Sequence, residues 1–403
     1  MPHEASRLLK KALEGPVGRR KRLPHNADGD CGTGIQPVSG AEPMRIAIAG
    51  TRGIPANYGG FETFAEELST RLAARGHQVT VYCRSRHPEP FYRGVRLVYL
   101  PAVHHKYFET LAHAFVSTLH LLAHRVDAAL YCNGANAIFT VLPRVFGMPV
   151  ALNVDGIERQ RKKWNRLAKA WYLASERLST FCPTVVIADA ATIRDYYLER
   201  YGKPTVFIPY GAETGKTESS AALAGLGLEP GRYFLYVSRM EPENRALEVR
   251  EAFERVGTEM KLALVGDAPY ARDYILRVRD TRDPRIVIPG AIYGEGYREL
   301  GSHCFAYIHA TEVGGTHPAL IEAMGRGALV LYRNTPENQE VAGGVGIPFE
   351  PGELEAKMEL ALAMPAAERA ALRESAMERV RERYSWDAVT TEYERLLGKI
   401  AGR

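Results

Sequence analysis

An apolar hexapeptide ending in glycine, Arg45-Ile46-Ala47-Ile48-Ala49-Gly50, leads into a long glycine-containing loop, Thr51 to Phe61. An amphipathic stretch follows from Glu62 to Arg75, with Phe64, Leu68 and Leu72 on one stripe. Gly76 stops it, and His77 to Tyr82 is a second apolar run. A short apolar run closed by glycine suits a buried strand, and the 3.6-residue spacing suits a helix lying on a sheet. Strand, loop, helix and strand in this order open a parallel α/β sheet.

The pattern continues. Further strands are expected at Val95–Leu100, Ala128–Tyr131, Val150–Asn153, Val185–Ala188 and Thr205–Ile208. After a loop rich in Gly, Ser and Glu a second set begins at Tyr233–Val237 and continues at Lys261–Val265, Ile286–Ile288, Phe305–Ile308 and Ala328–Tyr332. The 403 residues, 46% hydrophobic and 25% charged, suffice for two cores. The expected architecture is two facing Rossmann-like doubly wound domains, 44–210 and 211–403, with a cleft between them. The C-terminal helical region is expected to cross back to the first domain. Residues 1–43, with the basic cluster Arg19-Arg20-Lys21-Arg22 and a Gly/Asp/Pro-rich run, read as a disordered extension or as sequence upstream of a true start at Met44.

Composition narrows the functional classes. The net charge of +5 fits anionic small molecules or an anionic membrane surface. Five scattered cysteines, Cys31, Cys83, Cys132, Cys182 and Cys304, contain no Cys-x-x-Cys pair. That argues against a disulfide scaffold or structural zinc and suits a reducing cytosol. No apolar run of about 18 residues predicts a membrane span, and no signal-peptide core is present. The basic residues are not interleaved with stacking aromatics along one face, which argues against nucleic acid.

Two regions carry candidate chemistry. In an open α/β sheet ligands bind at the carboxyl ends of strands. The loop after the first strand holds Arg52, Gly53, Tyr58, Gly59, Gly60 and, at the helix start, Glu62. Its glycines let backbone N–H groups approach an anion or a sugar closely. Its spacing fits neither the dinucleotide fingerprint nor a P-loop. In the second half, Arg239 follows the first strand and can hold a diphosphate by paired, charge-assisted hydrogen bonds. Gly314-Gly315-Thr316 precede a short helix, Pro318 to Met324, whose N-terminus suits phosphate oxygens. Glu322 sits one turn in, among apolar residues, where an unpartnered carboxylate would be costly; it is expected to accept hydrogen bonds from ribose hydroxyls. His309 and Asn133 are further candidates at strand ends.

At these residues the sequence resembles retaining glycosyltransferases of the GT-B fold, family 4, over about 44–400. The segment Ala-Met-Gly-Arg-Gly-Ala-Leu-Val after Glu322 is similar to the family's nucleotide-binding motif. Thr51 to Phe64, Asn153-Val-Asp-Gly-Ile-Glu158 and Val313 to Met324 resemble a subgroup that includes bacterial β-1,4-rhamnosyltransferases. These move rhamnose from dTDP-rhamnose to a lipid-linked saccharide in surface polysaccharide assembly. The resemblance implies a nucleotide-sugar donor, a lipid-linked saccharide acceptor, and a cytoplasmic protein peripheral to the inner membrane face.

Three departures stand out. The family's Glu-x7-Glu motif is half kept: Glu322 matches the second glutamate, but Gly314 occupies the first position, with Glu312 close by. The lysine five residues after the phosphate arginine is replaced by Asn244. Where many members carry a catalytic-site histidine, Asp155-Gly156 stands. Asp155 is the catalytic candidate, stabilising oxocarbenium charge or taking the acceptor proton. Its competing role is a helix cap, because a helix is expected from Glu158 to Leu178. That helix would carry Arg159, Arg161, Lys162, Lys163, Arg166 and Lys169, with Trp164, Leu167, Trp171 and Leu178 in one stripe. It reads either as a membrane-surface helix or as an ordinary surface helix. No cluster with metal-ligand spacing stands out, so no cofactor or metal is expected. The other classes open to this sequence are an epimerase of the same fold and an inactive transferase-like binding protein.

Overall fold

The computed structural model describes residues 42–56, 59–102, 109–161, 164–268 and 271–403. The expected N-terminal extension up to residue 41, Tyr58, Lys162 and Lys163 lie outside them. Residues 41–403 form one compact unit holding two sheets.

The first sheet comprises β1 (Arg45–Ala49), β2 (Gln78–Cys83), β3 (Phe91–Tyr92), β4 (Val95–Tyr99), β5 (Ala128–Cys132), β6 (Val150–Asn153), β7 (Val185–Ala188) and β8 (Val206–Phe207). Their spatial order is β3-β4-β2-β1-β5-β6-β7-β8. All neighbours are parallel except the β3–β4 pair. The second sheet comprises β9 (Tyr233–Val237), β10 (Lys261–Val265), β11 (Ile286–Gly290), β12 (Ala306–His309), β13 (Leu329–Arg333) and β14 (Ile347–Phe349). Its order is β11-β10-β9-β12-β13-β14, parallel throughout. These are two Rossmann-like layers. The central strands are buried on both faces, as their near-continuous apolar runs require.

Strand order places the switch points. In the first sheet the order reverses between β1 and β5, and in the second between β9 and β12. The glycine loop after β1, Asn133 after β5, Arg239 after β9 and the stretch after His309 therefore all emerge at crevices.

The chain crosses between the sheets twice, side by side. Ala212 bridges Ser385, and its N–H donates to the Tyr384 carbonyl at 2.7 Å. The last helix, Trp386–Ala401, packs on the first-sheet helix Gly60–Ala74. Phe64 meets Tyr393 at 5.2 Å between ring centroids, Tyr210 meets Trp386 at 5.5 Å, and Asn153 Nδ2 donates to the Tyr393 hydroxyl at 3.0 Å. A Cβ on Gly211 would stand 2.4 Å from the Trp386 indole, so only glycine lets that ring seat.

One expected helix is not continuous. Residues 158–160 form a single 3-10 turn, and the α-helix begins at Arg166, capped by the Asn165 side chain accepting from Ala168 N–H at 2.9 Å. The expected apolar stripe dissolves accordingly. Trp164 precedes the helix and donates to Glu158 Oε2 at 3.0 Å, while Leu167 is 80% exposed.

Candidate active site

Residues at the carboxyl ends of both sheets line one cleft of about 1260 Å³. From the first sheet come Arg52, Gly59, Gly60, Glu62, Asn133 and Asp155. From the second come Arg239, Asn244, His309, Gly314, Gly315, Thr316 and Glu322. Of the described candidates only Gly53 stays out of the lining. It is in the left-handed region, φ +104°, and a Cβ there would stand 2.6 Å from Cys83 Sγ. Gly53 lets the loop pack closely on β2.

The first loop is tied to its own helix. Arg52 N–H donates to Glu62 Oε1 at 3.0 Å, and Ala56 N–H to Glu66 Oε2 at 2.6 Å. Burial raises the Glu62 carboxyl above its ordinary range, and the Arg52 amide partly offsets this. The Arg52 guanidinium bonds Glu109 at 3.2 Å. The same loop brings a helix N-terminus to the cleft. A Cβ on Gly60 would lie 3.2 Å from Pro318 Cγ. Pro318 opens the second-sheet helix Pro318–Gly325, so the positive ends of two helix dipoles converge.

Asp155 follows β6 with φ +57°. Its N–H donates to Asn153 Oδ1 at 3.0 Å. It caps no helix: the 3-10 turn has no side-chain cap, and Asn165 caps the α-helix. Burial, then the Glu158 charge, raises its carboxyl; Arg161 and Arg239 pull the other way.

On the second side, Asn244 does not stand in for a cation. Its Nδ2 donates to the Arg239 carbonyl at 2.6 Å and so fixes the loop that carries Arg239. Glu312 does not replace the carboxylate missing at 314. It pairs with Arg245 at 2.8 Å and Arg333 at 2.6 Å, off the cleft lining. Glu322 lines the cleft and accepts from the Tyr297 hydroxyl at 2.5 Å. Burial lifts its carboxyl to about 7, against the Tyr297 bond.

Arg161 and Asp189 were not among the sequence candidates. Arg161, expected on a surface helix, is 7% exposed, lines the cleft and pairs with Glu158. The signal was Asn165, a helix cap directly before the amphipathic run. Asp189, following β7, is buried with Oδ1 unpartnered. The Thr316 hydroxyl donates to the Asp189 carbonyl, and a Cβ on Gly315 would lie 2.4 Å from Asp189 Oδ1. The glycine loop of the second sheet thus sits directly on the end of β7. Nothing in the local sequence around Asp189 announces this contact. Among the described residues no group of three or more His, Cys, Asp or Glu side chains is arranged to hold a metal ion.

Solved structures share this architecture. HepE of Anabaena, in complex with UDP-glucose, matches with a TM-score of 0.72 at 15% identity, covering 88% of this chain and 100% of that one. Sucrose-phosphate synthase of Thermosynechococcus elongatus matches with a TM-score of 0.75 at 21% identity, over 88% and 98%. WaaG, a glycosyltransferase involved in lipopolysaccharide biosynthesis, matches with a TM-score of 0.68 at 15% identity, over 87% and 99%. The chain has the GT-B glycosyltransferase fold. Within it, residues 59–211 match the glycosyl transferase 4-like domain, which covers the first GT-B layer from the glycine loop to the crossover. No curated protein matches the chain significantly in sequence.

Proposed function

We propose that this GT-B protein is a retaining glycosyltransferase that moves a sugar from a nucleotide donor to a lipid-linked saccharide acceptor. The observation that carries it is the cleft itself: Arg239 and the Glu322 helix on one wall face Asp155 and the Gly59–Gly60 helix start on the other.

In this reading the donor lies on the second layer. Glu322 accepts from ribose hydroxyls, and the N-terminus of its helix receives the diphosphate. Arg239 adds a charge-assisted contact and stabilises the departing nucleotide. The buried Arg161 supplies a second cation from the first layer, where Asn244 supplies none. Phosphate charge is then met by amides and arginines, with no metal required. Asp155 stabilises positive charge as the anomeric carbon loses its leaving group, or takes the acceptor hydroxyl proton. Gly59 leaves room for the acceptor, and Gly60 lets Pro318 approach.

The sugar is proposed to be rhamnose from dTDP-rhamnose, on the resemblance of the three motifs, and the setting bacterial surface polysaccharide assembly. HepE binds UDP-glucose in the same fold, which makes a UDP-hexose the competing donor.

A membrane-bound acceptor is supported by one surface. Phe115, Leu119, Val145 and Leu167 are exposed on the helices Glu109–Ala123, Val141–Val145 and Arg166–Ser179, and Phe146 and Phe181 are exposed just beyond the last two. Arg125 donates to the Phe146 carbonyl and Arg144 to the Phe181 carbonyl, so guanidinium groups border the apolar side chains. Four acids of the same stretch are held in ion pairs: Glu109, Asp127, Glu158 and Glu176 pair with Arg52, Arg45, Arg161 and Arg159, and Asp155 lines the cleft. Apolar side chains among unopposed cations suit an anionic lipid surface. Among the described residues no helix is long and apolar enough to cross a membrane.

The test is turnover. Purified protein is given a panel of nucleotide sugars with polyprenyl-diphosphate-sugar acceptors, and products are read by mass spectrometry. A glycosylated acceptor is expected with one donor, dTDP-rhamnose foremost; no product with any donor contradicts the proposal.

A further inference from the structure

His309 ends β12, and His317 immediately precedes the helix Pro318–Gly325. Their rings lie 4.9 Å apart, and both line the cleft. Both are buried, at 3% and 8% exposure, and each Nε2 lacks a hydrogen-bond partner.

The tautomer of His317 follows from its neighbour. Asn338 Nδ2 donates to the carbonyls of Thr311 at 3.1 Å and Arg333 at 2.9 Å. Its amide oxygen must therefore face His317, whose Nδ1 lies 2.6 Å from it. Nδ1 then carries the proton, and Nε2 is left as a bare lone pair. Burial, joined by the nearby Arg161 charge, outweighs the Asn338 bond and the neighbouring Val313 carbonyl and holds the imidazole pKa down at about 4, so the ring is neutral in ordinary buffers.

The ring also explains the glycine at 314. A Cβ there would stand 2.3 Å from His317 Nε2. The imidazole fills the space a side chain at 314 would claim and turns its acceptor to that spot. A buried, unpaired acceptor is costly unless a ligand completes it. The ligand group must be a donor. Phosphate oxygens have lone pairs of their own and are repelled; a hydroxyl O–H is matched.

Resting on the glycosyltransferase reading, we propose that His317 Nε2, backed by His309, accepts a hydrogen bond from a hydroxyl of the donor sugar and so selects the sugar. His317 is a specificity-determining residue whose ring fills the space a side chain at 314 would claim.

The test uses calorimetry on the full chain with four probes: dTDP, dTDP-rhamnose, UDP and UDP-glucose. His317→Phe keeps the ring volume without the acceptor. It is expected to leave affinity for the nucleoside diphosphates unchanged and to weaken the preferred nucleotide sugar on the order of 10-fold, the worth of one hydrogen bond to a neutral group. Donor analogues each lacking one sugar hydroxyl complete the cycle, and with one of them wild type and His317→Phe should bind equally. Equal weakening of nucleotide and nucleotide sugar, or no weakening, overturns the proposal, as does a cycle in which no hydroxyl couples to His317. If wild type binds none of the four probes, the glycosyltransferase reading falls and this inference with it. If wild type binds a nucleotide sugar and only the variant behaves otherwise, the inference alone fails.

Discussion

Gly156 of the first layer lies against Gly314 of the second so closely that a Cβ on Gly156 would stand 2.5 Å from the Gly314 carbonyl carbon. This backbone contact helps hold the catalytic candidate Asp155 and the donor loop in register. Gly156→Ala must push the two loops apart. We expect kcat to fall on the order of 100-fold, the cost of misplacing reacting groups by about an ångström. Stability, read by thermal unfolding, should change little. Unaltered turnover would show that the contact is incidental.

The Glu322 carboxyl gives opposite signatures in binding and in stability. Its ordinary value is 4.5, and burial raises it to about 7 in the folded chain. An acid raised on folding keeps its proton in the native state while the unfolded chain has lost it. Stability is thus highest at low pH and declines as pH climbs from about 4.5 to about 7. Accepting from ribose hydroxyls favours the ionised form, so nucleotide affinity should rise through about pH 7. Glu322→Gln should flatten both slopes and bind more weakly. Parallel Tm and calorimetric series from pH 5 to 8.5 check this, and a wild-type binding slope that persists in the variant would assign it to another group.

Arg161 and the exposed apolar face make separable predictions. Arg161→Ala should lower donor affinity about 10-fold or more, as loss of a charge-assisted bond implies, and leave sedimentation with anionic vesicles unchanged. Val145→Ser with Phe146→Ser should do the reverse, sparing nucleotide binding and weakening vesicle association. Vesicle binding that ignores the double substitution would remove this face from the membrane reading.

Trp386 joins the layers by packing with Phe64 and Tyr210. Trp386→Ala should destabilise the chain by about 3–5 kcal/mol, seen as a lowered Tm. An unchanged Tm would mean that the crossover helix adds little to stability.

The strands and both switch-point loops were legible because a buried parallel strand must be an apolar run and its loop must carry glycine. Strands β3 and β14, of two and three residues, were not anticipated. The helix expected from Glu158 failed because charge and apolar spacing ran on past the break; the cap Asn165 was the better guide. Arg161 was misplaced with it, since a buried arginine inside a basic run looks like a surface one until its partner Glu158 is located in space. Glu312 lay near Gly314 in sequence, yet Arg245 and Arg333 draw it away. Asp189 and His317 depend on residues far along the chain, Thr316 and Asn338, which no local pattern pairs with them.

The proposed reaction is glycosyl transfer with retention in the cleft between the layers. Its most direct measurement is the anomeric configuration of the transferred sugar, read by NMR on product made with wild-type protein and the active donor. The transferred sugar is expected to keep the configuration it had in the donor. An inverted linkage, or release of free sugar with the acceptor unmodified, would contradict it.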